Sequence, residues 1–375
     1  MNKLKILLQT PLTERDYKRF GVELLGSRGI EVSFADMTPL LNPEYIKNHK
    51  VKRSQYEMVD LIKSEMDFEL LVKKCDKDDV LFIDLIGARN NSYFIYHILE
   101  NYRIKYASFC ANAIPALPEN ISIRSLLRRI KSKVINLQPK MYAPSYVLAG
   151  GDKYLNKRPS PDKHTKFIWA HTLDYDLYLD HRSEDDRSEV EGKYAVFLDE
   201  YFPLHPDHLV SGARKNPYHD PDEYFTEMNK IFGQFEKKTG IPVVITAHPR
   251  SNYEEMPGIF NGRKIMKNNT INLVSHADCA LAHGSTSINY AVLFKKPIVF
   301  LMPEKVKGGY YGSYISNYAK QFGKSPFDLD SITELDINKE RNIDNKMYVR
   351  FKEKYIKKAS SPNKYFWEIV AEAVN

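Results

Sequence analysis

The chain has 375 residues, of which 43% are hydrophobic and 27% charged, with a formal net charge of +7. This length predicts two domains, and the composition is typical of a globular protein. No apolar run approaches the roughly 20 residues of a membrane span, and the apolar part of the N-terminal segment is too short for a signal sequence. The three cysteines lack the spacing of a zinc site or disulfide framework, so we expect a cytoplasmic protein.

The first half of the sequence alternates short apolar runs with helical patterns. β-like runs occur at 5–8, 31–35, 80–85 and 106–109, and helical periodicity covers 13–27 and 93–102. This spacing predicts a Rossmann-like half, although the GxGxxG fingerprint is missing. Arg89, Asn90 and Asn91 follow the third run, at an edge that would face an acceptor.

The charge pattern of the first half allows two interpretations of one cluster. Residues 124–134 place arginines and lysines among apolar residues, which is typical of a helix at an anionic interface such as the inner face of a membrane. A solvated helix packed on its own domain explains the same pattern. The net charge alone does not indicate a nucleic-acid partner, because lysine-rich chains often carry it without one.

The second half repeats the α/β pattern after a break. Residues 138–165, rich in proline, lysine and glycine, predict a loop, and the charged residues 182–191 predict a linker. Further β-like runs lie at 166–169, 194–198, 243–247, 279–282 and 297–301, with helices at 221–239, 288–294 and 362–374. We therefore predict an α/β fold class.

The predicted architecture consists of two Rossmann-like domains that face each other across a cleft. The domains are expected at residues 1–185, on the acceptor side, and 191–355, on the donor side. The last segment, 356–375, is expected to return to the first domain as a helix. Parallel sheets bind ligands outside the carboxyl ends of their strands, so polar residues that follow strands are the candidates for a site.

His248, Pro249 and Arg250 directly follow the run at 243–247. Proline after the histidine ends the ladder of backbone hydrogen bonds and leaves the imidazole at the strand tip. There the ring can donate to a phosphate or a base carbonyl. The alternative is a histidine that bonds backbone at the strand end. A second His-Pro pair, which begins at His205, is another candidate.

His283, Gly284, Ser285, Thr286 and Ser287 precede the helix predicted at 288–294. Free backbone N–H groups and the dipole at a helix N-terminus favour an anion. The simpler explanation is a helix cap, but a cap needs only one hydroxyl. Three hydroxyl residues in a row therefore favour a phosphate-binding loop.

Asp199 and Glu200 end the run at 194–198, at the same predicted sheet edge. One of them is a candidate general base that takes a proton from an acceptor hydroxyl. The alternative is a solvent-facing strand exit. Only one of two sequential side chains can point into a cleft from an extended backbone; Asp199 is the first choice and Glu200 the second.

The order of these motifs resembles that of bacterial sialyltransferases and related ulosonic-acid (Kdo) transferases, over roughly residues 194–301. The resemblance implies a GT-B fold. It also implies a base at Asp199 or Glu200, contact of His248 with CMP, and phosphate binding by the Ser/Thr cluster. The family usually has glycine after the acidic pair, where this chain has Tyr201.

The resemblance implies an inverting glycosyltransferase that extends a bacterial surface glycan. The donor would be a CMP-activated ulosonic acid and the acceptor a glycan or glycolipid, with neither cofactor nor metal required. The alternatives are a GT-B transferase or epimerase that uses a UDP- or dTDP-sugar, and a noncatalytic nucleotide-sugar-binding protein. A diphosphate donor would favour cations near the Ser/Thr cluster, but Lys295 and Lys296 lie at the far end of the helix that follows it.

Overall fold

A computed structural model describes residues 1–48, 58–89, 91–115, 141–155, 158–182, 187–209 and 216–374. Within these ranges the chain forms two parallel sheets with helices, which confirms the predicted α/β class with two domains. The boundary expected at residue 185 and the basic segment 124–134 lie outside the described residues, so the domain limits remain predictions. None of the described helices has the length and apolar character that crossing a bilayer requires.

The N-terminal sheet has seven parallel strands in the order β3-β2-β1-β4-β5-β6-β7. They are β1 (Lys3–Leu8), β2 (Glu31–Asp36), β3 (Val59–Leu61), β4 (Val80–Asp84), β5 (Tyr106–Phe109), β6 (Tyr146–Ala149) and β7 (Lys166–Trp169). The sequence does not predict β3, and β6 corrects the loop predicted over 138–165. Both strands are short, and the prolines near β6 are typical of a loop, so the local pattern is misleading there.

The C-terminal sheet has five parallel strands in the order β10-β9-β8-β11-β12. They are β8 (Ala195–Leu198), β9 (Val243–Ala247), β10 (Ile265–Lys267), β11 (Cys279–Ala282) and β12 (Ile298–Phe300), of which only β10 is not predicted. The strand order reverses between β1 and β4 in the first sheet and between β8 and β11 in the second. A crevice opens at such a reversal, and ligands bind there in open α/β sheets.

The α-helices connect these strands. They are α1 (Glu14–Arg19), α2 (Val22–Gly26), α3 (Thr38–Leu41), α4 (Pro43–Asn48), α5 (Glu65–Lys73), α6 (Tyr93–Asn101), α7 (Leu173–His181), α8 (Pro221–Thr239), α9 (Thr270–His276), α10 (Ile288–Leu293), α11 (Tyr310–Lys320), α12 (Ile337–Arg341), α13 (Asn345–Phe351) and α14 (Phe366–Val374). The helix predicted at 13–27 is divided at Gly21, whose φ of +61° suits glycine. A Cβ on Gly21 would lie 2.7 Å from Cδ1 of Trp367, so the break also admits the indole of α14.

The C-terminal segment crosses back to the N-terminal domain through a close backbone contact. The N–H of Asp152 donates to the carbonyl of Glu353 (2.9 Å). A Cβ on Gly151 would lie 2.3 Å from the carbonyl of Lys354, so this approach requires glycine.

Helix α14 then packs on the core of the N-terminal domain. The Phe366 ring lies 5.6 Å from that of Phe109, and the Trp367 ring lies 6.4 Å from that of Phe20, between centroids. Trp367 Nε1 donates to the carbonyl of Arg19 (2.9 Å). The predicted return of the terminal helix to the first domain is therefore confirmed.

The buried carboxylate of Asp174, on α7, joins the two domains. It accepts hydrogen bonds from Arg19 Nη2 (3.3 Å) on α1, and from Asn289 Nδ2 (3.2 Å) and the Tyr290 hydroxyl (3.4 Å) on α10. Because α1 belongs to the N-terminal domain and α10 to the C-terminal domain, this contact holds α1 against the sheet edge where α10 begins.

Candidate functional site

The residues that follow β8 and β11 meet at the reversal of the C-terminal sheet. Asp199 and Glu200 follow β8, and His283 and Gly284 follow β11. Glu200 Oε1 accepts a hydrogen bond from the Gly284 backbone N–H (2.8 Å), across 84 positions of sequence. The fold therefore brings the acidic pair to the start of the Ser/Thr cluster.

Asp199 is buried, and donors from the same sheet edge occupy its carboxylate. It accepts from the backbone N–H groups of Tyr201 (3.0 Å) and His248 (3.0 Å), and from the Tyr253 hydroxyl at 3.1 Å to each oxygen. Burial raises the pKa of Asp199 to about 6, and these donors limit the rise. Asp199 therefore holds the loops after β8 and β9 together.

Glu200 is half-buried and points toward β11 rather than β9. Burial raises the pKa of Glu200 to about 7; the Gly284 N–H lowers it, and the neighbouring charge of Asp199 raises it. A carboxyl group with a pKa near neutrality can take up and release a proton at physiological pH. Donors contact both oxygens of Asp199 but only Oε1 of Glu200, so Glu200, the second choice from the sequence, is the better candidate for a general base.

Tyr201, directly after the acidic pair, has left-handed backbone angles, φ 53° and ψ 33°. This conformation costs a non-glycine residue about 1–2 kcal/mol, whereas glycine adopts it freely. The buried Tyr201 ring packs edge-on against Tyr253, with 5.3 Å between centroids. The backbone of Tyr201 thus has a conformation that favours glycine, the residue that sialyltransferases and Kdo transferases usually have after the acidic pair.

His248 lies at the end of β9, as predicted, and its ring faces that of His205. Its Nδ1 accepts the backbone N–H of Arg250 (3.1 Å), and its Nε2 lies 3.4 Å from His205 Nε2. Burial lowers the pKa of His248 to about 2, with further lowering from His205, Arg250, Arg15 and, less, Lys267. His248 is therefore neutral at physiological pH, and Pro249 occupies the turn between it and Arg250.

The sequence interpretation missed the contribution of Arg15 to this site. Arg15 is exposed on α1 of the N-terminal domain, yet its positive charge acts on His248 of the other domain. Within the described ranges, its side chain forms no ion pair. Nothing in the local sequence marks Arg15, because its position depends on the link from α1 through Asp174 to α10.

His283 is part of the core. It is buried, with Nδ1 2.7 Å from the carbonyl of Leu301 and Nε2 3.0 Å from the hydroxyl of Tyr224. Burial lowers the pKa of His283 to about 4. Because both ring nitrogens have protein partners, His283 ties β11 to β12 and α8 instead of reaching a ligand.

The Ser/Thr cluster forms a tight turn before α10. Ser285 Oγ accepts the Ser287 N–H (3.1 Å), while Thr286 is exposed. Gly284 is required for this geometry, because a Cβ there would lie 2.3 Å from Cε1 of Tyr314, whose hydroxyl donates to the Gly284 carbonyl (2.8 Å). One hydroxyl is thus used within the turn, and Thr286 faces solvent.

The residues predicted for the acceptor side lie at the edge of the N-terminal sheet, after β4. Arg89 is exposed, and Asn91 Nδ2 donates to the carbonyl of Leu41 (2.9 Å). Asn90 lies outside the described residues. Asn91 therefore has a structural contact, and Arg89 is the exposed cation of this loop.

The structure offers no obvious place for a metal in the described ranges. No group of three or more His, Cys, Asp or Glu side chains converges there. Asp174 and Asp176 on α7 have the spacing of a DxD motif, but they contact different parts of the molecule. Asp174 lies at the domain junction, and Asp176 accepts the N–H of Phe366 (2.9 Å).

Comparison with known proteins identifies the fold. No family model matches the chain, and no curated protein matches it. Among solved structures, it is similar to UDP-GlcNAc 2-epimerase from Methanocaldococcus jannaschii in complex with UDP-GlcNAc and UDP, with a TM-score of 0.54 and 11% identity over 99% of both chains. It is also similar to S. aureus MnaA with UDP, with a TM-score of 0.52 and 11% identity over 100% of this chain and 96% of the other.

A third similar structure is a variant of the wall teichoic acid polymerase TagF, with a TM-score of 0.50 and 9% identity over 100% of this chain and 90% of the other. At such low identity these similarities show the fold alone. They confirm the predicted GT-B architecture of two Rossmann-like domains. None of the three is a sialyltransferase or a Kdo transferase.

Proposed function

We propose that this chain is a GT-B glycosyltransferase that binds the nucleotide of a nucleoside-diphosphate sugar in the crevice between β8 and β11. The observation that carries this proposal is the convergence of positive charge on His248. Arg250 comes from the C-terminal domain and Arg15 from the N-terminal domain, and both lower the pKa of His248 beyond the effect of burial and His205. Lys267 adds less, and its ammonium group already pairs with Glu254 (3.7 Å). Such a set of cations between two domains suits a polyanionic ligand.

The number of cations favours a diphosphate over the single phosphodiester of a CMP-sugar. Lys295 and Lys296 follow the far end of α10, the helix after the Ser/Thr cluster, which ends at Leu293. The fold adds Arg15 from a distant segment. The UDP in the similar structures of the M. jannaschii epimerase and S. aureus MnaA supports the same donor class.

Glu200 is the proposed general base. It takes the proton of the acceptor hydroxyl while the hydroxyl oxygen attacks the anomeric carbon. The bond from that carbon to the phosphate oxygen breaks, and the nucleotide leaves with the electron pair, so the configuration inverts. The His248 N–H and the surrounding cations stabilise the leaving phosphate without requiring a metal. Asp199 positions Tyr201 and His248 through its hydrogen bonds.

The CMP-activated ulosonic acid is the second candidate donor. It is favoured by the left-handed conformation of Tyr201, which fits the glycine of the resembling sialyltransferases and Kdo transferases. A UDP-sugar epimerase would use the same crevice without an acceptor. The glycan or glycolipid acceptor is proposed to approach from the N-terminal sheet edge, near Arg89.

Calorimetric titration of the full chain with UDP and CMP tests the donor. We expect UDP to bind more tightly than CMP. Arg15→Ala should weaken UDP binding by about tenfold, on the order of 1.4 kcal/mol, and CMP binding by less. Lys18→Ala, an exposed cation of the same helix that pairs with Glu14, is the matched control and should bind UDP like wild type. Tighter binding of CMP would overturn the diphosphate assignment in favour of the second candidate.

Product analysis then separates the classes of activity. A transferase releases free nucleotide in proportion to glycosylated acceptor, whereas an epimerase yields an isomeric nucleotide-sugar without an acceptor. A protein that binds UDP but forms neither product over long incubation with UDP-sugars and glycan acceptors would contradict an enzymatic role.

A further inference from the structure

The two histidines that follow β8 and β9 are arranged as a pair. His205 and His248 are both half-buried, with ring centroids 4.6 Å apart and ring planes 70° apart. Their Nε2 atoms lie 3.4 Å from each other. The pair combines residues 43 positions apart, and the function proposed above uses only His248.

The hydrogen bond at Nδ1 of His248 determines which ring nitrogen carries its proton. Nδ1 accepts the backbone N–H of Arg250, so it must carry a lone pair. A neutral imidazole has one proton, which is therefore on Nε2. That N–H points at His205 Nε2, which must in turn be unprotonated for a hydrogen bond to form. A neutral His205 therefore carries its proton on Nδ1.

Charged groups surround the pair on several elements. Arg250, Arg15 and, less, Lys267 act on His248, and Asp199 accepts its backbone N–H. Lys267 is paired with Glu254 at 3.7 Å. His208, in the turn that begins at Pro206, has Nε2 3.1 Å from the carbonyl of Phe202. Helix α4, which packs against this turn, contributes Glu44 and Lys47, paired with each other at 2.7 Å.

An added proton has two different effects on the pair. Without a ligand, a proton on His205 Nε2 would face the His248 N–H, and two donors 3.4 Å apart repel each other. With an anionic oxygen between the rings, the same two N–H groups would both donate to it. Charge-assisted hydrogen bonds of this kind are stronger than neutral ones.

We propose that His205 and His248 form a two-imidazole site for one phosphate oxygen, and that anion binding there takes up one proton at His205 Nε2. The proton comes from solvent; the N–H···N bond between the rings breaks, and both N–H groups then donate to the oxygen. The assignment of this phosphate to a nucleotide donor rests on the function proposed above. His205 thereby becomes a further residue of the donor site.

The test is calorimetric titration of the full chain with pyrophosphate in buffers of different ionisation enthalpy near pH 7.5. We expect wild type to take up about one proton per anion bound, with affinity rising up to tenfold per unit as the pH falls from about 8 to about 6. His205→Gln should bind more weakly, with no proton uptake and a flat pH dependence. His208→Gln, a matched histidine in the adjacent turn, should retain the uptake.

Ring-nitrogen NMR of histidine-labelled wild type gives a readout that does not depend on a variant that folds. We expect the His248 proton on Nε2 in the free protein, and both nitrogens of His205 protonated when pyrophosphate is bound. A His248 proton on Nδ1, or a His205 that stays neutral with the anion bound, would overturn the proposal, as would pyrophosphate that perturbs neither ring.

Titration with UDP separates this proposal from the proposed function. If UDP binds without proton uptake, the donor assignment stands and the two-imidazole site is wrong. If pyrophosphate binds with uptake and nucleotides do not bind, the site stands and the donor assignment is wrong.

Discussion

In each sheet a central strand leads to a buried aspartate, but the two aspartates differ in how far along the sequence their hydrogen-bond donors lie. Asp84, the last residue of β4, accepts from the N–H groups of Ile86 (2.8 Å) and Gly87 (3.0 Å) and from the Tyr96 hydroxyl (3.0 Å). All of these donors lie within 12 residues of Asp84. Its carboxylate therefore closes a single loop and the helix that follows it.

Asp199, after β8, has the same kinds of donor, but two of them come from another strand connection. Tyr201 is local, whereas His248 and Tyr253 lie 49 and 54 positions away. The next residue, Glu200, reaches Gly284 on a third loop. Similar strand ends thus have different roles: the N-terminal aspartate stabilises a turn, and the C-terminal acids gather three loops at the reversal of the sheet.

The largest expected effect is on Glu200, the acid with no counterpart after β4. Glu200→Gln should lower kcat by about 10²–10⁴-fold, because the amide cannot accept the acceptor proton. UDP affinity should change little, and the urea midpoint near neutral pH should rise, because the amide escapes the burial penalty on the ionised carboxylate. Glu227→Gln is the matched control, since Glu227 is also half-buried and accepts a backbone N–H, from Glu304 (2.6 Å), but lies outside the crevice.

The pH dependence checks the same assignment. The base must be ionised, so kcat in wild type should rise with pH through about 7, the pKa to which burial raises Glu200. Since this pKa is raised from 4.5, its stabilising contribution is present below 4.5 and is lost as the pH rises to about 7. The urea midpoint of wild type should therefore fall relative to Glu200→Gln over that range. A Gln variant with wild-type turnover would refute the assignment.

Alanine at the two aspartates compares their roles directly. Asp199→Ala and Asp84→Ala should each cost about 3 kcal/mol of unfolding free energy, because each leaves buried donors without an acceptor. Only Asp199→Ala should also weaken UDP binding, by at least about tenfold, since it releases the loop that carries His248. Urea denaturation and calorimetry measure both effects. Equal losses of UDP affinity would show that the two strand ends do not differ in function.

The sequence predicts the class of fold well because its signals are local. Strands β8, β9 and β11 are apolar runs that end in polar residues, and these predict the sheet edge and the candidates Asp199, Glu200 and His248. β3 and β10 are three-residue edge strands without a buried apolar run, and β6 lies among prolines that predict a loop.

The partners of the candidate residues are harder to predict, because they depend on packing between distant segments. His283 has the same local context as His248, a histidine at the end of a buried strand, yet Tyr224 and Leu301 occupy both of its nitrogens. Arg15 is the opposite case: its exposed helix position carries no signal in the sequence, and its charge acts on His248 only in the fold, where Asp174 links α1 to α10.

The smallest expected effect concerns the tyrosines that bond the two aspartates. Tyr96→Phe and Tyr253→Phe each remove one hydroxyl donor to a carboxylate, at 3.0 Å for Asp84 and 3.1 Å for Asp199, and should each cost about 1.5 kcal/mol in urea denaturation. Loss of the Tyr253 donor also raises the pKa of Asp199, because that hydrogen bond lowers it. The charge of Asp199 acts on the pKa of Glu200, so Tyr253→Phe should shift the pH at which kcat rises, and Tyr96→Phe should not. A shift with Tyr96→Phe would mean that both strand ends act on the reaction.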